Sequence, residues 1–173
     1  MADELDPLVG GLFALDLSPG LAVAVVRNGE IVYLRGFGYA DVEEGRRVDP
    51  TETLFYIAST SKSFTGLTTA LLAREGVIDL DAPLSRYIPE LQFESPTLSA
   101  DEISIRELLT MTDGTGQYGP FIFRTAYTGE FTEEKLIELL ARTEAAKAGG
   151  FAQRNQPYNI LGMVIERATG MDG

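Results

Sequence analysis

The sequence contains neither cysteine nor histidine. The first absence excludes a thiolate metal site; the second excludes a His-ligated metal and a Ser-His-Asp triad built within this chain. Any general base must therefore be Lys, Tyr or a carboxylate. Basic residues are scarce too. With 14 Lys and Arg against 26 Asp and Glu, the net charge is −12, and no basic stripe is present. That balance argues against nucleic acid and against an anionic membrane as partners. Long apolar runs are missing, and residues 21–26 are too short to span a bilayer. The acidic start Met1-Ala2-Asp3-Glu4 lacks the basic region of a signal peptide. As written, the chain is expected in the cytoplasm; a removed signal would place it in the periplasm or outside the cell. No repeat and no low-complexity tract is found.

What is present is 173 residues at 45% hydrophobic content, enough for one soluble globular domain with a real core. Asp6-Pro7 is expected to open a helix carrying Leu8, Val9, Leu12 and Phe13, which Ser18-Pro19-Gly20 ends. Leu21-Ala22-Val23-Ala24-Val25-Val26 reads as a strand covered on both faces, and Asn28-Gly29 as a hairpin turn into Ile31-Val32-Tyr33-Leu34. Residues 41–50 read as connection. Beyond residue 40 no strand is expected, only helices: a capping box at Ser104-Ile105-Arg106-Glu107, a glycine-rich and mobile stretch at 114–120, and a helix capped by Thr132 and interrupted at Gly149-Gly150. A last helix runs from about Pro157 to Ala168, with Gly170 as its stop.

Everything is organised around Leu54-Phe55-Tyr56-Ile57-Ala58-Ser59-Thr60-Ser61-Lys62. An extended apolar run turns there into a helix whose apolar face holds Phe64, Leu67, Leu71 and Leu72. Ser59 and Lys62 are three apart and share one face. A hydroxyl at a helix N-terminus sits among unpaired N–H groups that would stabilise an oxyanion, and a nearby amine could take its proton. The plainer reading is that serine is an ordinary cap, and that Thr60 or Ser61 closes the helix with no chemistry involved.

Context favours chemistry. Ser18-Pro19-Gly20-Leu21-Ala22-Val23-Ala24-Val25-Val26, Gly36-Phe37-Gly38, the Ser59 segment, Asp79-Leu80-Asp81-Ala82-Pro83 through Pro89, Ile105-Arg106-Glu107-Leu108-Leu109-Thr110 and Tyr158-Asn159-Ile160-Leu161-Gly162 occur in this order. In that order they resemble the serine β-lactamase-related family of class C β-lactamases, D-alanyl-D-alanine carboxypeptidases, D-aminopeptidases and esterases. The resemblance implies an α/β fold of the α+β type: an antiparallel sheet flanked by helices, plus a helical subdomain. Residues 1–173 would be the N-terminal part of one such domain, with helix and hairpin in 1–58 and the nucleophile helix and helical region in 59–173. The family is about twice this long, so the last strands of the sheet, an oxyanion donor and a third motif would lie outside the chain.

By resemblance Ser59 is the nucleophile and Lys62 its base, with Asn155 and Gln153 on the substrate side and no metal or cofactor. The family normally has Tyr-x-Asn where this chain has Gln153-Arg154-Asn155, and glutamine cannot titrate. Tyr158 falls on a position the family fills with a packing aromatic. Met111-Thr112-Asp113-Gly114 replaces a His-Thr-Ser-Gly segment. The expected function is acyl transfer from an amide or ester through a Ser59 acyl-enzyme. Its substrate would be a small molecule or peptide: a β-lactam, a D-amino-acid peptide or an ester. The alternative is a non-catalytic relative acting as a binding module. The truncated chain alone is expected to be a poor hydrolase, unless a second chain supplies the missing strands.

Overall fold

A computed structural model describes residues 2–125, 129, 132–146 and 150–171. It divides into two compact units, Met1–Tyr56 and Ile57–Gly173.

The first unit holds α1 (Ala2–Phe13) and the antiparallel strands β1 (Gly20–Arg27), β2 (Glu30–Asp41) and β3 (Arg46–Arg47), in the order β1-β2-β3. Asn28 and Gly29 have φ of 53° and 81°. Both central residues of the turn are therefore left-handed, which matches the twist of the flanking strands. The register runs from Gly20 opposite Gly38 to Arg27 opposite Glu30, with an irregularity between Val25 and Val26. Two expectations need correction. β1 is not covered on both faces: Val26 and, on β2, Ile31 are each 62% exposed. The helix does not open at Asp6-Pro7 either, since α1 starts at Ala2 with Pro7 inside it. Asp6 is engaged elsewhere, accepting a 2.7 Å bond from the buried Tyr33 hydroxyl and facing Arg35 at 3.6 Å. β3 was also unforeseen. Gly36 makes room beside it, because a Cβ there would lie 2.6 Å from the Val48 carbonyl.

The second unit contains 3₁₀ turns at Ala58–Thr60 and Leu84–Arg86 and the helices α2 (Ser61–Arg74), α3 (Ile105–Thr110), α4 (Gly119–Phe123), α5 (Glu133–Ala141) and α6 (Gln156–Thr169). Its core includes Leu84, Ile88, Ile105, Leu108, Phe121, Leu140, Ile160, Leu161 and Val164, each fully buried. The capping box is present: Ser104 accepts from the Glu107 amide while the Glu107 carboxylate receives the Ser104 amide at 2.8 Å. Pro157 lies in the first turn of α6, and Gly170 ends it at φ 67°. Residues 114–120 are more ordered than their glycines imply. Gly116 donates to the Glu144 carbonyl and Ala146 to the Gly114 carbonyl, each at 2.7 Å, and Thr115 is fully buried. Gly119 and Pro120 open α4 instead of a loop. α5 ends at Ala141, ahead of the expected Gly149-Gly150 break, of which Gly149 lies outside the described residues. Among the described residues no helix is long and apolar enough to cross a membrane.

Candidate active site

Ser59 sits in the 3₁₀ turn that feeds α2, not on α2 itself. Ala58 before it has φ 46°, a left-handed conformation that side-chain-bearing residues seldom adopt. Strain of that kind at a non-glycine residue persists only where the surroundings enforce it. Here the Ser61 hydroxyl donates to the Ala58 carbonyl at 2.6 Å, and the Thr60 amide donates to the Ile57 carbonyl at 3.0 Å. The Ser61 hydroxyl is thus spent on a carbonyl, as is that of Ser63, which donates to the Thr60 carbonyl at 2.7 Å. Neither Thr60 nor Ser61 caps α2 through its side chain in the way the plainer reading requires.

A 3₁₀ turn has three residues per turn, so side chains three apart nearly eclipse. Lys62 is half-buried and Ser59 exposed, and the Lys62 Nζ lies 3.1 Å from the Ser59 Oγ. The same Nζ donates to the Asn155 Oδ1 at 2.7 Å. Asn155 stands at the N-cap position of α6 with helical backbone angles (φ −84°, ψ −36°), and its side chain makes no cap bond. Its amide oxygen is consequently available to the amine, 93 residues away in sequence. Of the expected residues, Lys62 is therefore within hydrogen-bond reach of both Ser59 and Asn155. An unprotonated Lys62 amine at this distance is placed to take the Ser59 proton.

The other residues singled out in the sequence behave differently. Gln153 is exposed and makes no hydrogen bond among the described residues. Tyr158 is half-buried against the helical core beside Gly66 of α2, and its hydroxyl donates to the Leu109 carbonyl at 3.0 Å. It packs, as an aromatic with one polar tip commonly does. Arg154 drew no attention in the sequence, where a lone arginine between two polar residues reads as surface. It is 5% exposed, and its guanidinium bonds to the Met111 carbonyl at 2.9 Å and the Ala152 carbonyl at 3.1 Å. It also meets the buried Asp113 carboxylate at 3.5 Å. Among the described residues no group of three or more acidic side chains is placed to share a metal ion.

A family model described as Beta-lactamase matches residues 12–172. Esterase EstB of Burkholderia gladioli is 33% identical over 162 residues, an alignment spanning 87% of this chain and 41% of EstB. Protein flp of Staphylococcus aureus is 29% identical over 154 residues, spanning 87% of this chain and 30% of flp. Among solved structures, a class C beta-lactamase matches with a TM-score of 0.79 at 27% identity, over 98% of this chain and 44% of the other. The octameric penicillin-binding protein homologue from Pyrococcus abyssi gives 0.76 at 26% identity, over 98% and 39%. The chain thus spans less than half the length of each of these relatives. Over that span its fold is α/β, of the class C β-lactamase and transpeptidase-like kind, and the expected resemblance holds. This chain belongs to the beta-lactamase family.

Proposed function

We propose that this chain carries the nucleophile half of a serine hydrolase acting on an amide or ester by acyl transfer. The observation that carries the reading is the Lys62 amine held between the Ser59 hydroxyl at 3.1 Å and the Asn155 amide oxygen at 2.7 Å. In the proposed step, unprotonated Lys62 takes the hydroxyl proton as the Ser59 Oγ forms a bond to the substrate carbonyl carbon. The tetrahedral oxyanion is stabilised in part by the Ser59 backbone N–H. The carbon–nitrogen or carbon–oxygen bond of the substrate then breaks, the leaving group departs with a proton, and water hydrolyses the acyl-enzyme. Asn155 fixes the Lys62 amine toward Ser59, and exposed Gln153 borders the substrate. Candidate substrates are β-lactams, D-amino-acid peptides and esters; the kinship with an esterase supports including the last. The stretch 1–173 is read as the N-terminal part of a single β-lactamase-like domain, helix and hairpin in 1–58 and nucleophile helix and helical region in 59–173.

A second reading, a non-catalytic relative that binds without turning over, is favoured by one observation. Gln153 stands where a titratable group is expected and has no bond to the pair. A fluorophosphonate or penicillin probe separates the two. Covalent labelling of the unmutated chain that disappears in Ser59→Ala supports the hydrolase. Labelling that persists in Ser59→Ala overturns the assignment of the nucleophile, and no labelling of a chain extended to the length of its relatives favours the binding module.

A further inference from the structure

Asn155 can hold the Lys62 amine only if the backbone that carries it is itself held. The segment 150–155 is not a regular element. Its attachment comes from the side next to Asn155. The Arg154 side chain is turned into the protein, 5% exposed, while Gln153 is left in solvent. Its Nη2 donates to the Met111 carbonyl at 2.9 Å and approaches Asp113 Oδ1 at 3.5 Å. Its Nε closes back on the Ala152 carbonyl at 3.1 Å. Both outside partners lie at the C-terminal end of α3. Met111 stands there in the left-handed conformation (φ 55°, ψ 37°), and its carbonyl receives the Ala152 amide as well, at 3.3 Å. Asp113 is itself fixed, accepting from the Thr115 amide at 3.0 Å and from the Thr115 hydroxyl.

Burying a guanidinium and a carboxylate together is not an efficient way to gain stability, since desolvation offsets much of their attraction. A planar fork with fixed donors does, however, set geometry. We propose that Arg154 is a positioning residue. Its buried guanidinium locks residues 152–155 onto the end of α3, so that Asn155 presents its oxygen to Lys62 and Lys62 its nitrogen to Ser59. This rests on the hydrolase reading for its consequence in catalysis, but not for the geometry.

The test uses the full 173-residue chain. Arg154→Met is expected to lower the maximal rate constant of Ser59 labelling by a fluorophosphonate by roughly 10- to 100-fold, the scale of a 1 Å misplacement. The half-saturating probe concentration should stay within about twofold, because the probe's own contacts are untouched. Arg154→Lys, which keeps the charge and one donor but not the fork, is expected to recover part of the rate. Independently, the Asn155 side-chain amide peaks in a ¹⁵N–¹H spectrum should move on Lys62→Met in the parent chain and not in the Arg154→Met background. Should Arg154→Met fail to fold, Arg154→Lys and Asp113→Asn carry the same measurements. A folded variant with unchanged labelling rate and unchanged Asn155 peaks overturns the inference. A parent chain that takes no label even when extended to the length of its relatives defeats the hydrolase reading instead, and the Asn155 peaks then decide the positioning role alone.

Discussion

Lys62 has two acceptors, the Ser59 hydroxyl and the Asn155 amide oxygen, and substitutions can separate what each contact does. Lys62→Met keeps an apolar stem of similar length, so the half-buried site stays filled while the amine is lost. The expected result is labelling of Ser59 slowed by about 10²–10⁴, the usual contribution of a positioned proton acceptor. An unchanged circular dichroism spectrum would show that the fold survived. A rate within threefold of the parent, on the order of RT in energy, would remove Lys62 from the chemistry. Gln153 invites the opposite change. It is exposed and unbonded, so a tyrosine can be placed there without disturbing the core. In a chain extended to the length of its relatives, Gln153→Tyr is expected to raise acylation or deacylation in stopped-flow ester hydrolysis. A folded variant showing no gain would mean that proton relay is handled elsewhere.

At the scale of elements, the short helix α3 depends on its ends more than on its length. Six residues cannot hold a helix by backbone bonds alone, and here the Ser104–Glu107 box satisfies two otherwise unpaired N–H groups. Ser104→Ala is expected to destabilise the second unit by about 1 kcal/mol in urea unfolding. The hairpin has a different weak point. Gly38 has φ 69°, and a Cβ there would lie 2.2 Å from the Pro19 carbonyl oxygen. Gly38→Ala must therefore shift backbone, at roughly 1–3 kcal/mol. Hydrogen exchange of the β1 amides should accelerate, while the α6 amides, in the other compact unit, should hold their protection.

Over the whole molecule, acid sensitivity has an identifiable source. Arg167 bonds to Glu133, to the Tyr87 carbonyl at 3.0 Å and to both oxygens of Glu90, joining α6 to α5 and to the turn after the second 3₁₀ segment. The hydrogen bonds from Arg167 hold the Glu90 carboxyl down to about 2, against an ordinary 4.5. A depressed carboxyl stabilises the fold fully above its unfolded value and loses that contribution as pH falls through the folded one. Stability should therefore drop between about pH 4.5 and 2. The Glu90 side chain is 48% exposed, so solvent screening limits the effect. Glu90→Gln is expected to cost up to about 1 kcal/mol at pH 7, or ~3 °C in Tm. The gap between variant and parent should close toward pH 2, and a constant gap would assign the loss to packing. Exposed apolar side chains have a separate consequence. In the first unit Leu8, Leu12, Leu15 and Val26 are each 58–62% exposed, and in the second Phe64 and Leu67 are 64% and 59% exposed. Concentration-dependent association in sedimentation is the expected outcome. A monodisperse monomer at every concentration would show that water tolerates these surfaces.

What the sequence determined by itself is what acts over a few residues. Asn28-Gly29 imposes a left-handed turn, Ser104 and Glu107 close a cap between neighbours, Gly170 stops α6, and three-residue spacing brings Ser59 and Lys62 together. The tertiary structure decided the rest, because those outcomes depend on partners far along the chain. Nothing near Asp6 announces that Tyr33 will occupy its carboxylate, and Arg46–Arg47 is a strand only because β2 lies beside it. The order in residues 114–116 comes from pairing with 144–146, not from their own composition. The site divides in the same way. Residues 59 and 62 meet through local geometry. Asn155 reaches Lys62 across 93 residues because α6 packs on α2, and Arg154 turns inward because α3 ends opposite it with a carbonyl and a carboxylate to receive it.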